Sequence, residues 1–330
     1  MEEYFSIDNR QSTIDNPIAI LPSCKIKMMR IISVSRRTDI PSFYTKWFMN
    51  RIRDGFCHWI NPFGGQVYRV SLQPEDCLAL VFWTRNPTPL IRHLDFLRRE
   101  GYRFYFHFTI NGYPKILESH NPPAHTMVAA LQRLADLISP ELTFWRYDPI
   151  LLNEVTSEAY HLKQFDFLSR QLEGYTNRCY FSYVAFYGKT ERNLRWVERE
   201  HNLSFQRPSI EEQRHLAHQL RDIGATRGIT LYSCCHDGLI GDGIEKAHCI
   251  DSALIARLRP DLNRHLQASP TRQDCGCAES VDIGAYDTCP YGCVYCYANH
   301  SRDIALRRMR AHDPNDTVLW RPSTLRTDLP

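Results

Sequence analysis

Three cysteines close together near one end of the chain carry the most chemistry. They are Cys289, Cys293 and Cys296, in the string Cys289-Pro290-Tyr291-Gly292-Cys293-Val294-Tyr295-Cys296. The spacing is C-x3-C-x2-C, with an aromatic residue just before the last cysteine. Three thiolates packed this closely can hold three irons of a [4Fe-4S] cluster. The fourth iron then has no protein ligand and is open to a small molecule. The competing chemistry is zinc. Zinc sites usually pair cysteines as C-x2-C with a second pair or with histidines, a pattern the triplet fits poorly. His300 is near enough in sequence to complete such a site.

A second group of cysteines lies upstream: Cys234-Cys235, Cys249 and Cys275-Gly276-Cys277. The most economical four-thiolate set is Cys235, Cys249, Cys275 and Cys277. It would make a second iron–sulfur cluster or a structural zinc site, with the cluster the preferred reading. The plainer alternative is reduced thiols in packed surroundings. Cys24, Cys57, Cys77 and Cys179 have no partner spacing and read as buried apolar thiols.

The elements that must position these residues alternate. Six apolar, β-rich runs recur: Ile31–Ser35, Leu78–Trp83, Phe104–Ile110, Thr143–Arg146, Cys179–Phe186 and Ile229–Cys234. Between them lie amphipathic segments at Ser42–Asp54, Pro89–Glu100, Thr126–Ser139, Ser157–Leu172 and Ser209–Gly224. Strands alternating with helices predict an α/β fold with a mostly parallel sheet. Crossovers of one hand curl such a sheet toward a barrel. Six units predict a partial, TIM-like (β/α)6 barrel. Cys57–Ile60 and Gln66–Leu72 flank the turn-rich Asn61-Pro62-Phe63-Gly64-Gly65, which predicts a hairpin outside it. After Pro270, Val281–Tyr286 reads as a short strand, the three-cysteine loop follows, and Tyr297–Arg310 reads as a helix. The expected organisation is an irregular extension over residues 1–27, the partial barrel over 28–269, a cluster-binding segment over 270–310 packed on the barrel, and a tail over 311–330.

In barrels of this kind chemistry gathers at the C-terminal ends of the strands. Arg36, Arg37, Asp39, Arg85, Arg146 and Asp148 stand at the ends of the first, second and fourth runs. Arg37, Asp39, Arg85, Arg146 and Asp148 are candidates for one catalytic pocket. The alternative for each is helix capping or pairing with a neighbour.

The composition agrees with a metalloprotein. A chain of 330 residues that is 43% apolar buries a substantial core, and a net charge of +3 is nearly neutral at this length. Twelve cysteines without a visible export signal read as metal ligands and reduced thiols in a cytoplasmic protein. No apolar run approaches the ~20 residues of a membrane span.

Four stretches carry a resemblance. Ile31–Phe43 (IISVSRRTDIPSF), Val81–Pro87 (VFWTRNP), Trp145–Ile150 (WRYDPI) and Cys275–Asn299 together resemble a bacterial family known as domain of unknown function 1848. Its members look like radical S-adenosylmethionine (SAM) proteins whose cluster motif is displaced to the C-terminus. The resemblance implies cluster ligation by Cys289, Cys293 and Cys296, and it groups Cys235, Cys249, Cys275 and Cys277. It implies SAM as cofactor, a flavodoxin- or ferredoxin-type reductant, and hydrogen abstraction from an unknown substrate. Arg36 or Arg37 is then expected to pair with the SAM carboxylate. Tyr295 would lie beside the adenine, with Asn299 and Arg302 on the rim. The rival from another class is a non-catalytic iron–sulfur or zinc protein, an electron carrier or a nucleic-acid binding module. Only the stripe Arg302, Arg307, Arg308 and Arg310 favours nucleic acid, and such stripes are usually solvated.

Overall fold

The computed structural model describes residues 29–261, 266–323 and 325. The expected extension over 1–27, with Cys24, lies outside the described residues.

The central element is β4 (Cys77–Thr84), an almost unbroken apolar run buried on both faces. Such a strand belongs in the middle of a parallel sheet. It pairs with β1 (Arg30–Val34) on one side and β5 (Phe104–Thr109) on the other. Beyond β5 come β6 (Thr143–Ile150), β7 (Arg178–Tyr183) and β8 (Thr230–Ser233), each parallel to its neighbour. β9 (Ile244–Lys246) closes that end, and β10 (Val281–Asp282) pairs parallel with β1 at the other. The sheet therefore has eight strands in the order β10-β1-β4-β5-β6-β7-β8-β9. The hairpin is β2 (Phe56–Ile60) with β3 (Val67–Ser71), antiparallel and separate from the large sheet.

Six of the eight strands match the six apolar runs. β9 is the addition, because three residues are too few to show a period. The expected strand near residue 281 forms as two residues.

The strands' two-residue alternation divides the core. Ile32, Val34, Leu80, Phe82, Phe106, Trp145 and Phe181 pack on one side, against helices. These are α1 (Ile40–Phe43), α2 (Thr45–Asp54), α3 (Thr88–Ile91), α4 (Leu94–Arg99), α5 (Ala124–Ile138), α6 (Glu158–Leu172) and α8 (Ile210–Ala225). Local signals set their ends. Ser157 caps α6, and Ser209 with Glu212 forms a reciprocal capping box on α8. α7 (Gly188–His201) has too few apolar residues to announce itself, and only Thr190, Leu194 and Val197 are buried.

The other face carries Ile31, Val81, Tyr105, Phe144 and Tyr180. The chain from Ala247 to Ile255 covers it, including the start of α9 (Ser252–Leu258), together with Cys277 and Ala278. The segment over 270–310 is thus built into the sheet through β10 and into this second face. The last helix, α10 (Arg302–Arg310), begins five residues later than expected, where Ser301 caps it.

Residues expected as a tail also pack. The Asp316 carbonyl accepts from Trp47 Nε1 at 2.8 Å, and the Thr317 carbonyl accepts from the His58 backbone N–H at 2.9 Å. Leu319 joins the helix-side core. Among the described residues no helix is long and apolar enough to cross a membrane.

Candidate functional site

β10 leads directly into the loop that carries Cys289, Cys293 and Cys296. Asp282 fixes this edge. Its carboxylate accepts from Ser33 Oγ at 2.8 Å, Ser35 Oγ at 2.5 Å and the Arg36 N–H at 2.8 Å. The loop turns at Gly292, where φ is +74° and a Cβ would stand 2.8 Å from Arg302 Cδ. A side chain there would be strained on both counts.

The loop is held from three sides. Cys293 forms an antiparallel bridge with Glu118, and Val294 N–H donates to the Leu117 carbonyl at 3.1 Å. The Asn299 side-chain amide donates to the Cys289 carbonyl. Tyr291 Oη and Ser42 Oγ lie 2.8 Å apart, and Tyr44 Oη donates to the Thr288 carbonyl at 2.6 Å. All three thiols are half-buried. Burial raises the pKa of each; Cys293 reaches about 12, with Arg85 opposing and Glu118 adding to the rise.

Tyr295, just before the last cysteine of the loop, points into the protein. Its ring is buried with Tyr113, Leu117, Leu151 and Leu194. Its hydroxyl donates to Glu118 and accepts from Arg85 Nη2 at 2.8 Å. Arg85 Nη1 and Glu118 Oε1 form an ion pair at 2.9 Å, with both side chains largely buried. Asn111 Nδ2 is 3.1 Å from the same tyrosine oxygen and 3.2 Å from Glu118. Tyr295 thus anchors the cysteine loop to the ends of β4 and β5.

Asp39 also has a structural duty. It caps α1 by accepting from the Ser42 N–H at 2.9 Å, and it accepts from Thr84 Oγ1 at 2.8 Å and the Arg85 N–H at 2.7 Å. Burial pushes its carboxyl up to about 7 against these hydrogen bonds.

Arg146 and Asp148 pair at 2.7 Å, and Ser182 Oγ donates to the same carboxylate. The Arg146 guanidinium also reaches Cys249 Sγ at 3.1 Å. Arg36 lies over Trp83 at 5.5 Å, with Nη2 3.3 Å from Ser280 Oγ. Burial would lower its pKa, but Cys277, Asp282 and Cys249 outweigh that and raise it. Arg37 lies over the rings of Trp59 and Tyr286, at 5.5 and 5.0 Å. Asp39, Arg85, Arg146 and Asp148 are therefore all engaged in capping or pairing. Arg37 has no ion pair among the described residues.

Cys235, Cys249, Cys275 and Cys277 do come together, with Cys234 as an unexpected fifth. Cys234 Sγ is 3.9 Å from Cys235 Sγ and 3.6 Å from Cys249 Sγ. Cys275 and Cys277 pack in the same cluster as Cys234, Cys235 and Cys249. Among the described residues no group of three or more His, Cys, Asp or Glu side chains stands ready-made to hold a metal ion. Cys57, Cys77 and Cys179 are free and buried, as their spacing predicts.

The residues around the three-cysteine loop nonetheless fit a metal cluster. The donor set is three free thiols carried by one loop. Two flanking amides each have a buried atom without a hydrogen-bond partner, Asn121 Nδ2 and Asn299 Oδ1. Such orphans are rare in native proteins. Asn121 Oδ1 now accepts from Cys293 Sγ at 3.6 Å. A metal-bound thiolate would accept instead, and the amide turned over would give its orphan N–H a partner.

An open cleft of about 580 Å³ lies on the flank of this segment, lined by Arg192, Asp287, His300, Ser301, Ile304 and Arg308. His300 Nδ1 is 2.8 Å from Asp287 Oδ2.

Sequence spacing missed Glu118, Asn111 and Asn121. They lie in an irregular loop after β5, with no period or motif to mark them. Cys234 was legible only as the neighbour of Cys235.

No curated protein matches this chain. Among solved structures it is similar to the dihydropyrimidinase from Brevibacillus agri NCHU1002, with 12% identity and a TM-score of 0.27. That match covers 64% of this chain and 42% of the dihydropyrimidinase, so the chain spans less than half the length of that protein. The sequence pattern of one family matches residues 31–298, and the chain belongs to that family, described as domain of unknown function (DUF1848).

Proposed function

We propose that this protein is a radical SAM-type enzyme on a partial, TIM-like barrel. The observation that carries the reading is the position of β10. It pairs parallel with β1 at the sheet's edge and is followed at once by the three-cysteine loop and then by α10. A strand, cluster loop and helix at the first position of a parallel sheet is the arrangement such enzymes use. Here the unit comes last in the chain and first in the sheet. The crossover helices on one face and the one-directional strand order support the barrel reading.

Cys289, Cys293 and Cys296 would hold the cluster. When bound, a four-iron cluster with one open iron supplies an electron to SAM and so yields a 5′-deoxyadenosyl radical for hydrogen abstraction. The chain's own residues have separate tasks. Asn299 fixes the backbone at Cys289, and the Glu118–Arg85–Tyr295 network fixes it at Cys293 and Tyr295. Arg37 remains the best candidate for an anionic group of SAM or substrate, because its guanidinium has no carboxylate partner among the described residues.

The test is iron and acid-labile sulfide on anaerobically purified protein, with an EPR spectrum of the reduced sample before and after SAM. The expected result is about four irons per chain and a signal that SAM shifts. Zinc in place of iron at the triad, or an iron signal indifferent to SAM, would overturn the proposal.

A further inference from the structure

Five thiols gather in one ring-like group on the second face of the sheet: Cys234 touches both Cys235 and Cys249, and Cys275 and Cys277 pack in the same cluster. Adjacent residues of an extended chain point to opposite sides. Cys234 and Cys235 avoid this because Cys235 adopts φ +59° at the end of β8. A non-glycine residue in that region is strained, and such strain persists where the surroundings require it. What it achieves here is two thiols within 4 Å of each other.

The surroundings are cationic. Arg272 Nε donates to Cys235 Sγ at 2.8 Å, and Arg272 Nη2 to Cys234 Sγ at 3.5 Å. Arg146 Nη1 donates to Cys249 Sγ at 3.1 Å. Guanidinium N–H groups aimed at sulfur are suited to thiolates. None of these cysteines is in a disulfide, and Cys234, Cys249 and Cys277 are buried. Buried charges of one sign need pairing or a metal.

We propose that this ring is a second metal centre. It takes one tetrahedral, thiolate-preferring ion of the zinc class, and Cys234 is one of its four ligands. The spacing favours an ion over a cluster. Zinc–sulfur bonds of about 2.3 Å in a tetrahedron put neighbouring sulfurs about 3.8 Å apart. The Cys234–Cys249 and Cys234–Cys235 separations, 3.6 and 3.9 Å, bracket that value. In a four-iron cluster each thiolate sits on its own iron, and the cluster core holds the sulfurs farther apart. Charge agrees as well. Four thiolates on a divalent ion leave a net charge of about −2, which the two guanidinium groups offset. The thiols stand as contact pairs, so the ion itself closes the tetrahedron. This centre does not depend on the radical SAM reading.

The experiment uses full-length protein in which Cys289, Cys293 and Cys296 are replaced by serine, so that any metal counted belongs to the ring. The expected result is about one zinc per chain without sulfide. Cys234→Ala in that background should lose it, and Cys57→Ala, another buried thiol, should keep it. Should Cys234→Ala fail to fold, Co2+ substitution of the parent reads the site directly, through intense visible bands of a tetrahedral tetrathiolate ion. Absence of metal, or iron with labile sulfide, would overturn the single-ion centre. Full zinc retention by folded Cys234→Ala would overturn the role of Cys234.

Discussion

Replacing Glu118 by alanine removes the only carboxylate paired with the buried Arg85 guanidinium among the described residues. The Glu118 side chain is 2% exposed and that of Arg85 11%, so solvent does little to compensate. Breaking a buried ion pair from one side costs about 3–5 kcal/mol, because the remaining charge stays buried. Tyr295 Oη loses its acceptor in the same step, worth about a further 1 kcal/mol. The expected loss is therefore about 4–6 kcal/mol. Urea unfolding followed by far-UV circular dichroism measures it as a fall in midpoint at constant slope. The double replacement Arg85→Met with Glu118→Leu removes both charges, so it should be clearly more stable than Glu118→Ala. The effect should also reach the cysteine loop, since Glu118 bridges Cys293 through the backbone. Iron loading of Glu118→Ala should fall under conditions where the protein is still folded. A loss below about 1 kcal/mol would show the pair to be solvated, and the anchoring argument would fail.

Three further outcomes are expected. Cys289→Ala, Cys293→Ala or Cys296→Ala should each abolish formation of 5′-deoxyadenosine from SAM; persistence of cleavage in any of them would sink the triad assignment. Arg146→Ala should retain the substrate-free SAM cleavage that the triad variants lose, since Arg146 contacts Asp148 and Cys249 and not the triad; an equal loss with the triad variants would place it in the cluster machinery. Asp39 has its carboxyl raised by burial to about 7, so the folded state favours the protonated form. Its contribution to stability is full below the ordinary aspartate range and declines as pH rises toward 7. Asp39→Asn should flatten that part of the stability–pH curve, and an unchanged slope in urea titrations from pH 4 to 8 would contradict the assigned rise.

Much of this fold was legible because burial on both faces leaves a strong mark. Leu78–Trp83 and Phe104–Ile110 can hardly be anything but central strands, and the turn residues Asn61–Gly65 define the hairpin around them. β9 escaped because three residues carry no period, and α7 because a helix with one narrow buried stripe looks like a loop. The strand ends follow from the pattern, but the partners that hold their residues do not. Asp39 caps a four-residue helix, and Arg85 pairs with a glutamate 33 positions away. No spacing rule can anticipate such a partner, because it is supplied by an irregular loop after the next strand.

The cysteines divide along the same line. Cys289, Cys293 and Cys296 are close in sequence, so one loop carries all three. The second group is assembled from the end of β8, the segment before α9 and the segment before β10, and only the sheet brings these together. That explains why Cys234 could not be chosen over its neighbour from sequence. In an extended strand only one of the pair can face the ring, and the choice reverses only if the backbone turns at Cys235. The turn at φ +59° lets both thiols face it. The two cysteine groups are also linked mechanically. β10 carries the triad loop on one end and follows Cys275 and Cys277 on the other. An ion that fixes those two cysteines shortens the free chain entering β10, and so helps hold a two-residue strand against β1. Loss of the second centre should therefore loosen the triad loop even where it leaves the three triad thiols untouched.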